Sequence, residues 1–135
     1  MRVILPITDP YVVHHGALGS FATVYLPDGA SQEEVAARIS GLDGIALAVT
    51  SAEACERFEL PADRIGDVVV VSTRQKVIGT SPDKHDLSGL TEPLRSHGGI
   101  TEQRVPMIAN RPITVPMGRT LRNFDVFDVA LNLVN

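Results

Sequence analysis

The chain has 135 residues, 44% hydrophobic and 21% charged, which fits one globular domain with a sizeable core. A net charge of −4 argues against a non-specific nucleic-acid surface, 4% aromatics without Trp against base-stacking platforms, and no apolar run approaches membrane-spanning length. Cys55 is the only cysteine, so an intrachain disulfide is excluded, and with no secretory leader after Met1-Arg2 the expected compartment is the cytoplasm.

In chain order, Val3-Ile4-Leu5-Pro6-Ile7 reads as a short strand ended by Asp9-Pro10. Residues 11–19 hold His14-His15-Gly16 in a turn or strand rim. Phe21 to Leu26 is a second strand, closed by the turn signal Pro27-Asp28-Gly29. Ser31-Gln32-Glu33-Glu34 has the pattern of a capping box and opens a helix with Val35, Ile39 and Leu42 on one face. Ile45 to Val49 is a buried strand. Thr50-Ser51-Ala52-Glu53 opens a short helix through Phe58, stopped by Leu60-Pro61. The run Val68 to Val71 predicts a central strand covered on both faces, with residues 76–79 pairing beside it. Residues 79–104 lack periodicity and are expected to form a long functional loop. Pro112 to Pro116 is extended, and Asn123 is expected to cap a last helix with Phe124, Phe127, Leu131 and Val134 on its apolar side. The strand–helix alternation over 21–71 predicts an α/β unit with right-handed crossovers.

Few groups can carry chemistry. His97, between Ser96 and Gly98-Gly99, leads: the glycines let a backbone come close to a ligand. The competing reading, a loop histidine whose ring bonds a carbonyl, has the larger weight on local sequence alone. His14 and His15 point to opposite faces if they lie on a strand, so packing is favoured over shared metal binding. His85 sits beside Asp86 in what reads as a solvated loop. Asp67 could pair with Arg64 or accept from loop amides, a structural role. Cys55 lacks an activating base and reads as a small core residue. Neither a phosphate-binding glycine loop nor a nucleophile elbow is present. One histidine does not make a zinc site, which takes four ligands or three plus an open position.

Leu94-Arg95-Ser96-His97-Gly98-Gly99-Ile100-Thr101-Glu102-Gln103-Arg104-Val105-Pro106 resembles the late metal-ligand motif of the phosphonoacetate hydrolases, in the alkaline phosphatase superfamily. The stretches Ile4 to Gly19, Phe58 to Thr73 and His85 to Leu90 agree with it, so the resemblance covers essentially the whole chain. It implies the C-terminal part of an alkaline-phosphatase-like fold: an α/β cap-like βαβαβ unit over about 21–78, with 1–20 and 79–135 returning to the catalytic domain. It implies cleavage of the C–P bond of phosphonoacetate to acetate and phosphate by two zinc ions, with His97 as one ligand. The threonine nucleophile, the other ligands and the substrate-clamping lysines match nothing here, so Thr8 and Thr23 receive no catalytic role. The isolated chain is therefore expected to be inactive. Glu102 or a backbone carbonyl would hold the second nitrogen of His97. The implied partner is a small-molecule phosphonate, with a homo-oligomer possible. Two alternatives stay open: a segment of a related phosphodiesterase or sulfatase, and a non-catalytic binding or assembly module.

Overall fold

A computed structural model describes residues 1–4, 19–81, 83, 88, 91 and 97–135. His14, His15, His85 and Asp86, together with the predicted continuation of the first strand past Ile4, lie outside the described residues. The chain divides into two compact units, Met1–Arg104 and Val105–Asn135.

The first unit is a mixed α/β layer built on one four-stranded sheet. Its elements are β1 (Arg2–Ile4), β2 (Phe21–Tyr25), α1 (Gln32–Ser40), β3 (Ile45–Thr50), α2 (Ser51–Phe58) and β4 (Val68–Ser72). The strands run in the order β1-β2-β4-β3, every neighbouring pair antiparallel. The second predicted crossover is thus corrected, since β3–α2–β4 joins antiparallel neighbours. β2 and β3 do run in the same direction, but β4 lies between them and pairs with both. The cause is visible where β3 ends. Thr50 pairs with Val68, and the Ser51 amide donates to the Asp67 carbonyl at 2.9 Å. Helix α2 and its loop therefore bring the chain back to the end of the sheet it left, and β4 returns alongside β3.

The valine run is the core. Val68 and Val70 face one side with Ala22, Val24, Ala36 and Ala48, covered by α1. Val69 and Val71 face the other with Val49 and Ala54, covered by α2 and by Phe21, Phe58, Ile65 and Ile100. Period-two alternation puts successive side chains on opposite faces, and burial of each valine contributes on the order of 1.5–3 kcal/mol. A register shift between Ile45 and Leu47 changes the face that β3 presents. Ile45 packs on the α1 side, whereas Leu47 and Val49 pack on the α2 side.

Both helices start at the cap residues their sequences predict. Ser31 Oγ accepts from the Glu34 amide at 3.2 Å, and Thr50 Oγ1 from the Glu53 amide at 3.4 Å. The second half of the predicted capping box, the Glu34 carboxylate on the Ser31 amide, is absent among the described hydrogen bonds, and the Ser31 hydroxyl donates to the Glu33 carboxylate. On α1, Val35 and Ile39 pack on the core as expected, but Leu42 lies past the helix end and is exposed. Residues 76–79 do not pair beside β4. The chain turns at Thr73–Lys76, and the Ile78 amide donates to the Gly19 carbonyl at 2.7 Å instead.

In the second unit, residues 123–133 form a helical segment of three short pieces: a 3-10 turn Asn123–Asp125, an α turn Val126–Asp128 and a π turn Val129–Leu133. Arg122, not Asn123, stands at the capping position, and its amide donates to Asp125 Oδ2 at 2.7 Å. Ile113 bridges Val134, and the Thr114 amide donates to the Leu133 carbonyl. The expected apolar side is present but faces solvent: Phe124, Phe127 and Leu131 are exposed, while Val129 is buried. No helix among the described residues is long and apolar enough to cross a membrane.

Candidate functional site

The His-Gly-Gly corner packs against the start of β2. Ser20 lies at the junction: its amide donates to the His97 carbonyl and its carbonyl accepts from the Ser72 amide, both at 2.9 Å. With Ile78 on the Gly19 carbonyl, this short stretch is tied on three sides. The His97 ring lies against Gly19. A Cβ placed there would sit 3.3 Å from Cε1 and 3.5 Å from Nδ1, so hydrogen at residue 19 is what lets the imidazole lie so close. The ring is half-buried, with Nδ1 inside.

Gly98 follows with φ +82°, a left-handed conformation that favours glycine, and turns the chain over Phe21. Ile100–Glu102 then form a 3-10 turn in which the Glu102 amide donates to the Gly99 carbonyl at 3.1 Å. The Glu102 side chain folds back over Gly99. Its Oε1 accepts from the Thr101 hydroxyl, and its Oε2 is buried with no hydrogen-bond partner among the described residues. The carboxylate borders a cleft of about 250 Å³ walled by Phe21, Phe58, Leu60, Val71 and Ile100, with Gln103 at the side. An acceptor-only group against apolar walls is poised to receive a donor or a cation.

The other candidates separate from this corner. Asp67 accepts from the Leu26 amide at 2.7 Å and from the Gln32 side chain at 3.2 Å, and Gln32 Oε1 in turn accepts from the Ser51 hydroxyl at 3.3 Å. It ties the end of β2 to the starts of both helices, which is the loop-amide alternative of its structural reading. Arg64 pairs with Asp63 instead. Cys55 is a free, half-buried thiol on α2, beside the fully buried Ala54. Thr23 accepts a hydrogen bond from the Gly66 amide at 2.6 Å. Among the described residues no three His, Cys, Asp or Glu side chains gather as a metal cage. The described residues thus do not assemble a metal site around His97.

Sequence reasoning missed the seat of His97 on Gly19 and the fold-back of Glu102 on Gly99. A glycine shows its role as a contact surface only once its spatial neighbour is known.

The corner combines a half-buried histidine, a carboxylate with one buried oxygen and a small apolar cleft on one mixed α/β layer, and comparison with known proteins makes the relationship specific. No protein-family profile matches the chain. Two crystal structures of phosphonoacetate hydrolase from Sinorhizobium meliloti 1021, one in complex with phosphonoformate and one with phosphonoacetate, superpose with TM-score 0.74 and 61% identity over 93% of this chain. Phosphonoacetate hydrolase of Penicillium oxalicum is 57% identical over 30 residues, 22% of this chain and 42% of that protein. The chain is related to phosphonoacetate hydrolase over nearly its whole length, and it spans 31% of the length of the solved relatives.

Proposed function

We propose that the chain forms the C-terminal part of a zinc-dependent phosphonoacetate hydrolase of the alkaline phosphatase superfamily, with His97 as one ligand to one of two zinc ions. The observation that carries this is the 61% identity over 93% of the chain to an enzyme solved with phosphonoacetate bound. The reaction breaks the C–P bond and forms a P–O bond from water. The carbon takes a proton, giving acetate and phosphate. When bound, the metals supply positive charge to the phosphonyl oxygens and lower the pKa of the nucleophile.

This chain's own part is positional. Gly19 and Ser20 hold the imidazole of His97 at the head of the sheet. A zinc-ligating imidazole is neutral, and its second nitrogen is oriented by an acceptor. Glu102 folds back over Gly99 without bonding the imidazole, and its buried Oε2 is a candidate to receive a cation or donor in the adjoining cleft. Alone, the 135 residues lack a nucleophile and most of the ligand set, and hydrolyse nothing.

The test grafts the sequence into the Sinorhizobium enzyme in place of its matching third. The chimera is expected to release phosphate from phosphonoacetate, while its His97→Ala form loses both activity and part of its zinc on elemental analysis. Equal zinc and equal activity in the two forms would remove His97 from the metal site. Phosphate release by the 135-residue chain alone would overturn the assignment of catalysis to a larger whole.

A further inference from the structure

Two neighbouring residues meet His97, and both are held from one place. The Ser20 amide donates to the His97 carbonyl, and the His97 ring lies against Gly19. Ser72, at the end of β4, reaches both. Its amide donates to the Ser20 carbonyl at 2.9 Å. Its hydroxyl donates to the Lys76 carbonyl at 2.8 Å and so clamps the turn Thr73–Lys76. The Lys76 amide closes that turn on the Thr73 carbonyl at 3.1 Å, and two residues further on the Ile78 amide reaches the Gly19 carbonyl at 2.7 Å. Ser72 is buried, so bulk water does not compete for its hydroxyl. A second observation marks the turn as held in place. Gln75 has φ +66°, a left-handed conformation that glycine adopts readily and glutamine does not. Such residues persist where the surrounding structure over-determines them. Here the Ser72 hydroxyl on Lys76 and the Thr73 amide on the Gly44 carbonyl, at 2.8 Å, flank Gln75.

We infer that Ser72 is a positioning residue for His97: its amide sets the backbone of Ser20, and its hydroxyl sets the turn that brings Ile78 onto Gly19. The inference rests on the reading proposed above only for the task it gives His97. The groups that support a ligand decide how well it binds metal. One tie holds the His97 carbonyl and the other holds the glycine floor against its ring, and both ties lead back to Ser72. A buried serine that only ended a strand would, on losing its hydroxyl, weaken the whole sheet alike. A positioning serine loses the seat of His97 first.

Amide exchange in the 135-residue chain tests this. Ser72→Ala should lower the protection of the Ile78 and Ser20 amides about tenfold relative to the central β4 amides, the factor that one ordinary hydrogen bond supplies. Thr23→Val removes a buried hydroxyl elsewhere on the same sheet, the one that accepts from Gly66, and should leave that ratio unchanged. Adding Gln75→Gly to Ser72→Ala removes the cost of the left-handed residue and should restore most of the lost protection. Unchanged protection at Ser20 in Ser72→Ala, or a fall equal to that of the β4 amides, overturns the inference. A double variant no better than the single one overturns it too. In the chimera with the Sinorhizobium enzyme, Ser72→Ala should bind zinc about tenfold more weakly in a chelator titration. Zinc held by Ser72→Ala but lost by His97→Ala overturns the positioning role. Zinc held by both counts against the functional reading. In that case, and if the chimera does not fold, the amide ratio alone decides the inference.

Discussion

Replacing Gly66 by alanine tests how tightly the loop before β4 is held against β2. A Cβ at residue 66 would collide with Thr23 Oγ1 and sit 2.6 Å from the Val24 carbonyl oxygen. The carbonyl belongs to a strand paired on both sides and cannot step aside. The loop must therefore retreat, and the buried hydrogen bond from the Gly66 amide to Thr23 at 2.6 Å goes with it. Overpacking of this kind costs about 1–3 kcal/mol, and stranding a buried donor about 1–3 kcal/mol more. Gly66→Ala should lose about 2–6 kcal/mol in urea unfolding followed by circular dichroism, the combined range of those two effects. Thr23→Val keeps the volume and removes the acceptor, so it should lose only the hydrogen-bond part, about 1–3 kcal/mol. In Gly66→Ala combined with Thr23→Ala one of the two clashes is gone, and the loss should fall short of the sum of the singles. A Gly66→Ala protein within about 0.5 kcal/mol of wild type, the spread of ordinary surface changes, would refute the reasoning.

Gly19→Ala should leave the fold intact but push the His97 ring by a few tenths of an ångström, since the new Cβ would sit 3.3 Å from Cε1. In the chimera this should lower zinc affinity roughly 10- to 100-fold, the usual effect of disturbing a ligand's support; unchanged zinc retention in a chelator titration would contradict it. Acidification should loosen the C-terminal segment first. The Arg122 amide and then the Arg119 guanidinium hold the Asp125 carboxyl below its ordinary value, and Asn132 and then Arg119 do the same for Asp128. A lowered folded pKa gives stability that is present above the unfolded value, about 3.9, and is lost as pH falls through the folded value. Amide protection factors in 123–133, exchange rates corrected for the intrinsic pH dependence of the chemistry, should fall below about pH 4, and the fall should be absent in Arg119→Ala/Asp125→Asn/Asp128→Asn.

Much of the first unit was legible because its signals are local. Ser31 and Thr50 cap helices where capping residues precede apolar periodicity, and the valine run is buried on both faces. Strand direction was not legible, because a run buried on both faces reads the same in a parallel or an antiparallel sheet. Only the pairing of Thr50 with Val68 decides it. Leu42 was assigned to a helical face on spacing alone, but the helix stops at Ser40 and Gly41 caps it. At the candidate site the His-Gly-Gly motif stood out, whereas the partners that seat it, Gly19 and Ser20, lie far away in sequence and carry no chemical mark. On residues 123–133 Phe124, Phe127 and Leu131 keep the expected helical spacing, whereas Val134 lies past the end of the segment in extended backbone and bridges Ile113.

The position of β4 has a consequence for how the unit forms. The strand that fills the gap between β2 and β3 is the last of the sheet to be synthesised, and it supplies the inner residues of both apolar clusters. Until Val68–Ser72 slots in, β2 and β3 are two edges one strand-width apart, with neither helix seated on a closed surface. Assembly should therefore be all-or-none and governed by the slow step of closing non-local pairs. A ribosome-bound chain that ends before Val68 would hold no stable part of this layer.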